Sequence, residues 1–122
     1  MAQLTVQAIA QAGLAPAYAA ASATGDGFQN TNDETTFLHV KNTNAAACVV
    51  TINPTVTSIK APGAGVLTIA PISVSVPATT GDRMIGPFPQ YAFTDPSGNV
   101  NATYSVSASV TVAAVRVAPV TR

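Results

Sequence analysis

The sequence is unusually poor in charge. Only 8% of its 122 residues are Asp, Glu, Lys or Arg, and five acidic residues balance five basic ones, whereas about a quarter of a typical globular protein is charged. The chain therefore offers no electrostatic footprint for nucleic acid or for an anionic membrane. Because a lone soluble monomer usually keeps more surface charge, we expect much of this surface to contact other protein.

Cysteine and long apolar runs are also scarce. The single cysteine, Cys48, excludes an internal disulfide and predicts a small buried hydrophobe instead of a reactive thiol. No apolar run is long enough to span a bilayer. The alanine-rich residues 14–23 lack the preceding Lys or Arg of a signal peptide, so we interpret them as part of the mature domain.

Residue types that perform chemistry are few. His39 is the only histidine, and no serine lies in a Gly-x-Ser-x-Gly elbow. Asp82 and Asp95 are the pair that a glycosidase would use, but both sit among turn residues, where aspartate bonds its own backbone. One cysteine and one histidine cannot form a zinc cage. We therefore expect no enzymatic activity, no metal and no cofactor.

One segment, residues 25–34, is rich in side-chain oxygen. It superficially resembles a calcium loop, but the EF-hand spacing and its terminal bidentate glutamate are absent. Its carboxylate and amide residues are Asp26, Asn30, Asn32, Asp33 and Glu34. We interpret the segment as a solvated loop.

Short β-favouring runs separated by turn residues extend along the chain, the pattern of a sandwich or barrel. Linkers too short for helical crossovers predict antiparallel pairing. The sequence therefore predicts an all-β fold: a single antiparallel β-sandwich or jelly-roll-like barrel of about eight strands. The clearest predicted strands are residues 36–41, 48–52, 66–69, 72–76, 100–106 and 110–117.

The two ends of the chain are less committed to this core. We divide it into an extended N-terminal arm (1–12), a β-sandwich domain (13–118) and a C-terminal tail (119–122). Alanine and glutamine in the arm permit a helix, but residues 4–9 alternate more like a strand. Arms of this kind reach neighbouring subunits in symmetric assemblies. The arm therefore supplies three candidate capsid or inter-subunit contacts: Leu4, Val6 and Ile9.

The Gly-Pro-Phe-Pro segment at residues 86–89 is the most distinctive stretch. Its two prolines fix φ, so it can present Phe88 as an apolar anchor at little ordering cost. Alternatively, Phe88 fills the end of the sandwich. This region supplies the remaining candidate contacts: Pro87, Phe88, Pro89 and Tyr91.

Several motifs in order carry a resemblance to a known family. They are Gly-Asp-Gly-Phe at 25–28, Thr-Phe-Leu-His-Val-Lys-Asn at 36–42, Asp-Arg-Met-Ile-Gly-Pro-Phe-Pro at 82–89 and Phe-Thr-Asp-Pro-Ser-Gly-Asn-Val at 93–100. Over residues 13–117 the chain resembles small virion head proteins of tailed bacteriophages, most closely capsid decoration (cement) proteins. The resemblance implies a β-sandwich subunit, made in the host cytoplasm and favoured as a homotrimer, that binds the major capsid protein on the outside of the head and stabilises it.

Two other readings stay open. The first is another virion component: a head-fibre base, a head–tail joining protein or a tail protein. The second is a cell-surface or carbohydrate-binding β-sandwich module, although such modules usually use tryptophan and this chain has none.

Overall fold

A computed structural model describes residues 2–30 and 35–117. In it the chain folds into two five-stranded sheets and a separate two-stranded hairpin. This confirms the predicted all-β sandwich. The described strands are more numerous than the eight predicted. They are β1 (Ala2–Leu4), β2 (Val6–Ile9), β3 (Ala19–Ala20), β4 (Asp26–Gln29), β5 (Thr36–Asn42), β6 (Cys48–Asn53), β7 (Ser58–Ala61), β8 (Gly65–Thr68), β9 (Ile72–Val76), β10 (Gly81–Ile85), β11 (Asn99–Tyr104) and β12 (Val110–Val117), with a short helix α1 (Gln90–Phe93) before β11.

The strand order defines two layers. The first sheet runs β1-β4-β11-β6-β9, and the second runs β10-β5-β12-β2 with β3 also paired to β12. Strands β7 and β8 form the hairpin between β6 and β9. No helix among residues 2–30 and 35–117 has the length and apolar character needed to cross a membrane.

The core lies between the sheets and follows the period-two alternation of the strands. Leu38 and Val40 on β5 point inward, as do Val50 and Ile52 on β6, and all four are fully buried. Burying a side chain of this size stabilises the fold by about 1.5–3 kcal/mol. Cys48 is free and buried, as predicted, and its thiol donates to the Val106 carbonyl at 3.2 Å.

The prediction of purely antiparallel pairing is wrong at the N-terminus. β1 pairs parallel with β4, and β2 pairs parallel with β12. Short linkers do not exclude parallel pairing at the N-terminus, for two reasons. Residues 5–25 give β1 enough chain to return in parallel, and β2 and β12 lie at opposite ends of the sequence. Residues 2–9 are extended, and they join an edge of each sheet in turn.

The predicted solvated loop at residues 25–34 is wrong where the structure describes it. Asp26 is fully buried in β4 and accepts hydrogen bonds from the Ser22 amide at 3.2 Å and the Tyr104 hydroxyl at 2.8 Å. Asn30 is buried and donates to the Phe88 carbonyl at 3.1 Å. These bonds compensate only part of the cost of burying the two side chains, because Oδ1 of each is buried without a hydrogen-bond partner. Three of the predicted loop residues, Asn32, Asp33 and Glu34, and the tail 119–122 lie outside the described residues.

Candidate interaction surface

Two of the predicted contact residues belong to the core. Leu4 is 7% exposed and Phe88 is fully buried. The Phe88 ring lies against Phe28, with 5.8 Å between ring centroids, and Asn30 holds the Phe88 carbonyl. The Gly-Pro-Phe-Pro segment therefore directs the Phe88 side chain inward, where it fills the end of the sandwich. Neither Leu4 nor Phe88 presents its side chain at the surface.

The other predicted contacts fall in two places. Ile9 and Pro87 are exposed on the outer side of the second sheet, while Val6 and Pro89 are half-buried. Tyr91, 69% exposed, is on α1. The neighbouring Ala92 carbonyl accepts from the amides of residues 55 and 56, at 2.7 and 3.2 Å. Tyr91 therefore sits with the loop after β6, apart from Ile9 and Pro87.

An apolar surface connects Ile9 to Pro87 across the second sheet. Two adjoining grooves, of about 410 and 190 Å³, share Phe37 and Met84 as lining residues. Strand pairing sets Phe37 beside Val115, and Val117 beside Ile9. We call this surface the apolar strip, and its members are Ile9, Leu14, Phe37, Met84, Pro87 and Val117.

Gly86 shapes the larger groove. Its φ of +139° is a conformation that L side chains rarely adopt, and a Cβ there would lie 2.9 Å from the Cβ of Phe37. Glycine therefore lets the chain after β10 lie directly against Phe37, which places Pro87 in the groove wall.

The connection between β2 and β3 covers another part of this sheet. Its anchor at one end is Gln7, whose side-chain amide donates to the Ala17 carbonyl and accepts from the Ala17 amide, both at 2.8 Å. Leu14 and Pro16, farther along the connection, line the smaller groove. Residues 10–18 thus form one wall of the apolar strip.

A polar cluster fixes the same connection to the sheet. The Tyr18 hydroxyl lies 2.7 Å from His39 Nδ1, and His39 Nε2 bonds Asp82 on the neighbouring β10. Because a carboxylate only accepts, Nε2 of His39 donates to Asp82. In the neutral ring with that tautomer, Nδ1 accepts from the Tyr18 hydroxyl. The Lys41 ammonium lies 4.5 Å from the centre of the Tyr18 ring. The cluster joins three elements around a histidine that is 7% exposed.

The two aspartates singled out in the sequence lie on different elements, one in a turn and one in a strand. Asp95 is in the turn before β11, as predicted, and accepts from the Ser97 and Asn99 amides, both at 2.9 Å. The Asn99 amide makes the largest contribution to lowering the pKa of Asp95 below its ordinary value. Asp82 lies within β10, so its assignment to a turn is wrong. The two carboxylates therefore do not form a glycosidase pair on one sheet.

The outer face of the first sheet has a different composition. Its outward side chains are neutral, and nearly all are amides or hydroxyls, some of which bond one another. The apolar exception is Val49, which lies opposite Ser75 and is 39% exposed. Asn99 Oδ1 accepts from Gln3 at 3.1 Å and from Gln29 at 2.7 Å. We call it the polar face, and its members are Gln3, Gln29, Thr51, Asn53, Ser73, Ser75, Asn99, Asn101 and Thr103.

Sequence reasoning missed two exposed members of the apolar strip. Met84 is 66% exposed and Val117 is 50% exposed. One signal was available: Phe37 lies on the face of β5 opposite Leu38 and Val40, and a large apolar residue on the outer face of a sandwich strand favours a covered or contacting surface. The pairing that brings Met84 and Val117 to that face is non-local.

Comparison with known proteins gives no relative: no protein family, curated protein or solved structure matches the chain. Within residues 2–30 and 35–117, no three His, Cys, Asp or Glu side chains are grouped to hold a metal ion. The fold and its surfaces define a β-sandwich whose first sheet has a polar outer face and whose second sheet carries an apolar strip beside the Tyr18–His39–Asp82 cluster.

Proposed function

We propose that this chain is a structural virion protein, a capsid decoration (cement) protein that binds the outer surface of a bacteriophage head. The observation that carries the proposal is the apolar strip. Met84, Val117 and Ile9 are 66, 50 and 40% exposed on one side of the molecule. A contiguous apolar surface on a protein with so little charge marks a place where another protein binds.

The proposed partner is the major capsid protein, and the proposed location is the virion surface. A shell repeats each binding site many times, so each contact needs only a standard interface of about 1,600 Å² in total. Self-association of the subunit would add avidity. A subunit that binds only the assembled shell stabilises that shell by mass action.

We propose that the Tyr18–His39–Asp82 cluster has a structural role and not a catalytic one. Both ring nitrogens of His39 are occupied by partners, and the bonds tie the connection 10–18 to two strands of the second sheet. The connection forms a wall of the apolar strip, so the cluster preorganises the binding surface.

Co-sedimentation with empty phage heads tests the proposal. Heads are assembled from the major capsid protein of the same phage and mixed with wild-type chain, with Met84→Asp or with Val66→Asp. Val66 lies on the β7–β8 hairpin and its exposure, 62%, closely matches the 66% of Met84, so Val66→Asp controls for an added surface charge.

We expect the wild type and Val66→Asp to sediment with heads, and Met84→Asp to stay in the supernatant. Binding of Met84→Asp at wild-type level would remove the apolar strip as the contact. Failure of all three proteins to bind heads would contradict the decoration role, and binding of the wild type to isolated tails instead would favour the alternative virion component. Deletion of residues 2–12 would not test the contact as cleanly as Met84→Asp, because it removes β1, β2 and the buried Leu4 and so disturbs the fold.

A further inference from the structure

Strand β9 is an edge strand that lacks the usual protection. Open edges pair with other chains unless charge, proline, a bulge or short length prevents it. β10 carries Asp82 and Arg83, β1 has three residues and β2 has four. β9 has five residues without charge or proline, and its ladder with β6 runs unbroken from Ile72 to Val76.

The sequence of β9 is self-complementary in pattern. Ile-Ser-Val-Ser-Val reads apolar-polar-apolar-polar-apolar in both directions about Val74. In an antiparallel pair of two copies centred on Val74, each Ser73 lies opposite a Ser75, and each Ile72 lies opposite a Val76. Polar side chains therefore lie opposite polar ones, and apolar side chains opposite apolar ones. An isologous twofold contact requires this self-complementarity.

The burial of β9 is that of a core that stops at an open edge. Ile72 and Val74 pack against the buried core but remain partly exposed, whereas Val76 at the end of the strand is fully buried. Ser73 and Ser75 are exposed on the other face. A second β9 placed alongside would cover the inward-facing Ile72 and Val74 and continue the polar face through the serines. Pro71 and Pro77 flank the strand and limit the pairing to its five residues.

We infer that two copies of this chain associate through β9, antiparallel and centred on Val74, so that their first sheets join into one continuous sheet. Backbone hydrogen bonds between the edges supply the affinity, as in strand addition to an open sheet. The contact closes at two copies, so it gives a dimer where the family resemblance implies a trimer. It does not use the apolar strip and does not depend on the proposed function.

Charges at the two serines test the pairing without touching the core. In S73K/S75K, both cross-strand pairs of the dimer set lysine against lysine, and like charges directly opposite are destabilising. In S73K/S75E, the same two positions set lysine against glutamate in both pairs. The two variants change the same exposed positions and differ only in the sign of one charge, so each controls for the other.

Sedimentation velocity over a concentration series, at low salt, measures the outcome. We expect a wild-type dimer, a dimer for S73K/S75E, and a dimer dissociation constant at least about tenfold higher for S73K/S75K. Mixing S73K/S75K with S73E/S75E should restore the dimer, which shows that the loss comes from charge and not from misfolding. A wild-type monomer or trimer at every concentration, or equal association of S73K/S75K and S73K/S75E, would overturn the inference. Head binding by a monomeric S73K/S75K chain would leave the proposed function standing.

Discussion

The two outer faces of the sandwich differ in the side chains that they carry. Each strand buries one face in the core, and its other face points away from the core. On the first sheet the second face carries amides and hydroxyls, such as Asn99 with Gln3 and Gln29. On the second sheet it carries Phe37, Met84 and a buried His39, partly covered by the connection 10–18. The outer face of the second sheet is therefore packed like an incomplete second core.

Replacing one outward residue on each sheet should give the largest difference in stability between the two faces. His39→Ala on the second sheet removes a buried ring and leaves Tyr18 and Asp82 without their partner, so we expect a loss of about 2–3 kcal/mol in the free energy of unfolding. Thr51→Ala on the polar face should change it by less than about 1 kcal/mol, the value of a cross-strand hydroxyl pair. Urea unfolding at neutral pH measures both. Equal effects would mean that the outer face of the second sheet is not packed as the structure indicates.

Removing one hydroxyl should have a smaller effect. Tyr18→Phe keeps the ring against His39, where the centroids lie 5.4 Å apart, but removes the bond to Nδ1. We expect a loss of about 1 kcal/mol, the net value of one such bond. Tyr91→Phe is the matched control, because Tyr91 is 69% exposed on α1, and it should leave the urea midpoint unchanged. A Tyr18→Phe midpoint equal to that of the control would mean that the bond does not hold the connection 10–18.

The sequence predicted what depends on local patterns. Strands β9 and β12 begin and end at the predicted residues, and β5 and β6 extend one residue further than predicted. Asp95 occupies its predicted turn because an aspartate and its following amides are close in the chain. Cys48 is buried because it shares the inward face of β6 with Val50 and Ile52.

Features that depend on distant pairing could not be predicted from the sequence. β4 has the composition of a turn but forms a strand that pairs with β11, where Tyr104, far along the chain, donates to the buried Asp26 carboxylate. Phe88 is an anchor for the core and not for a partner because Asn30 and Phe28 receive it. The apolar strip forms only when β2, β5, β10 and β12 are side by side, and no single segment carries its pattern.

The smallest expected effect is electrostatic and lies in the turn that leads into β11. Amides of Asn99 and Ser97 and the side chain of Asn101 hold the Asp95 carboxylate, so the pKa of Asp95 is lower when the chain is folded than when it is unfolded. The stability that this carboxylate contributes is therefore fully present above its unfolded pKa, about 4, and is lost as the pH falls through the folded pKa.

Asp95→Asn isolates that contribution, because its side-chain oxygen still accepts from the Ser97 and Asn99 amides while the charge is gone. We expect the wild type to lose stability more steeply than Asp95→Asn between about pH 5 and pH 2, and the two curves to converge at the acid end. Urea unfolding at a series of pH values gives both slopes. Parallel slopes would show that the bonds around Asp95 favour its charged form no more in the folded chain than in the unfolded one.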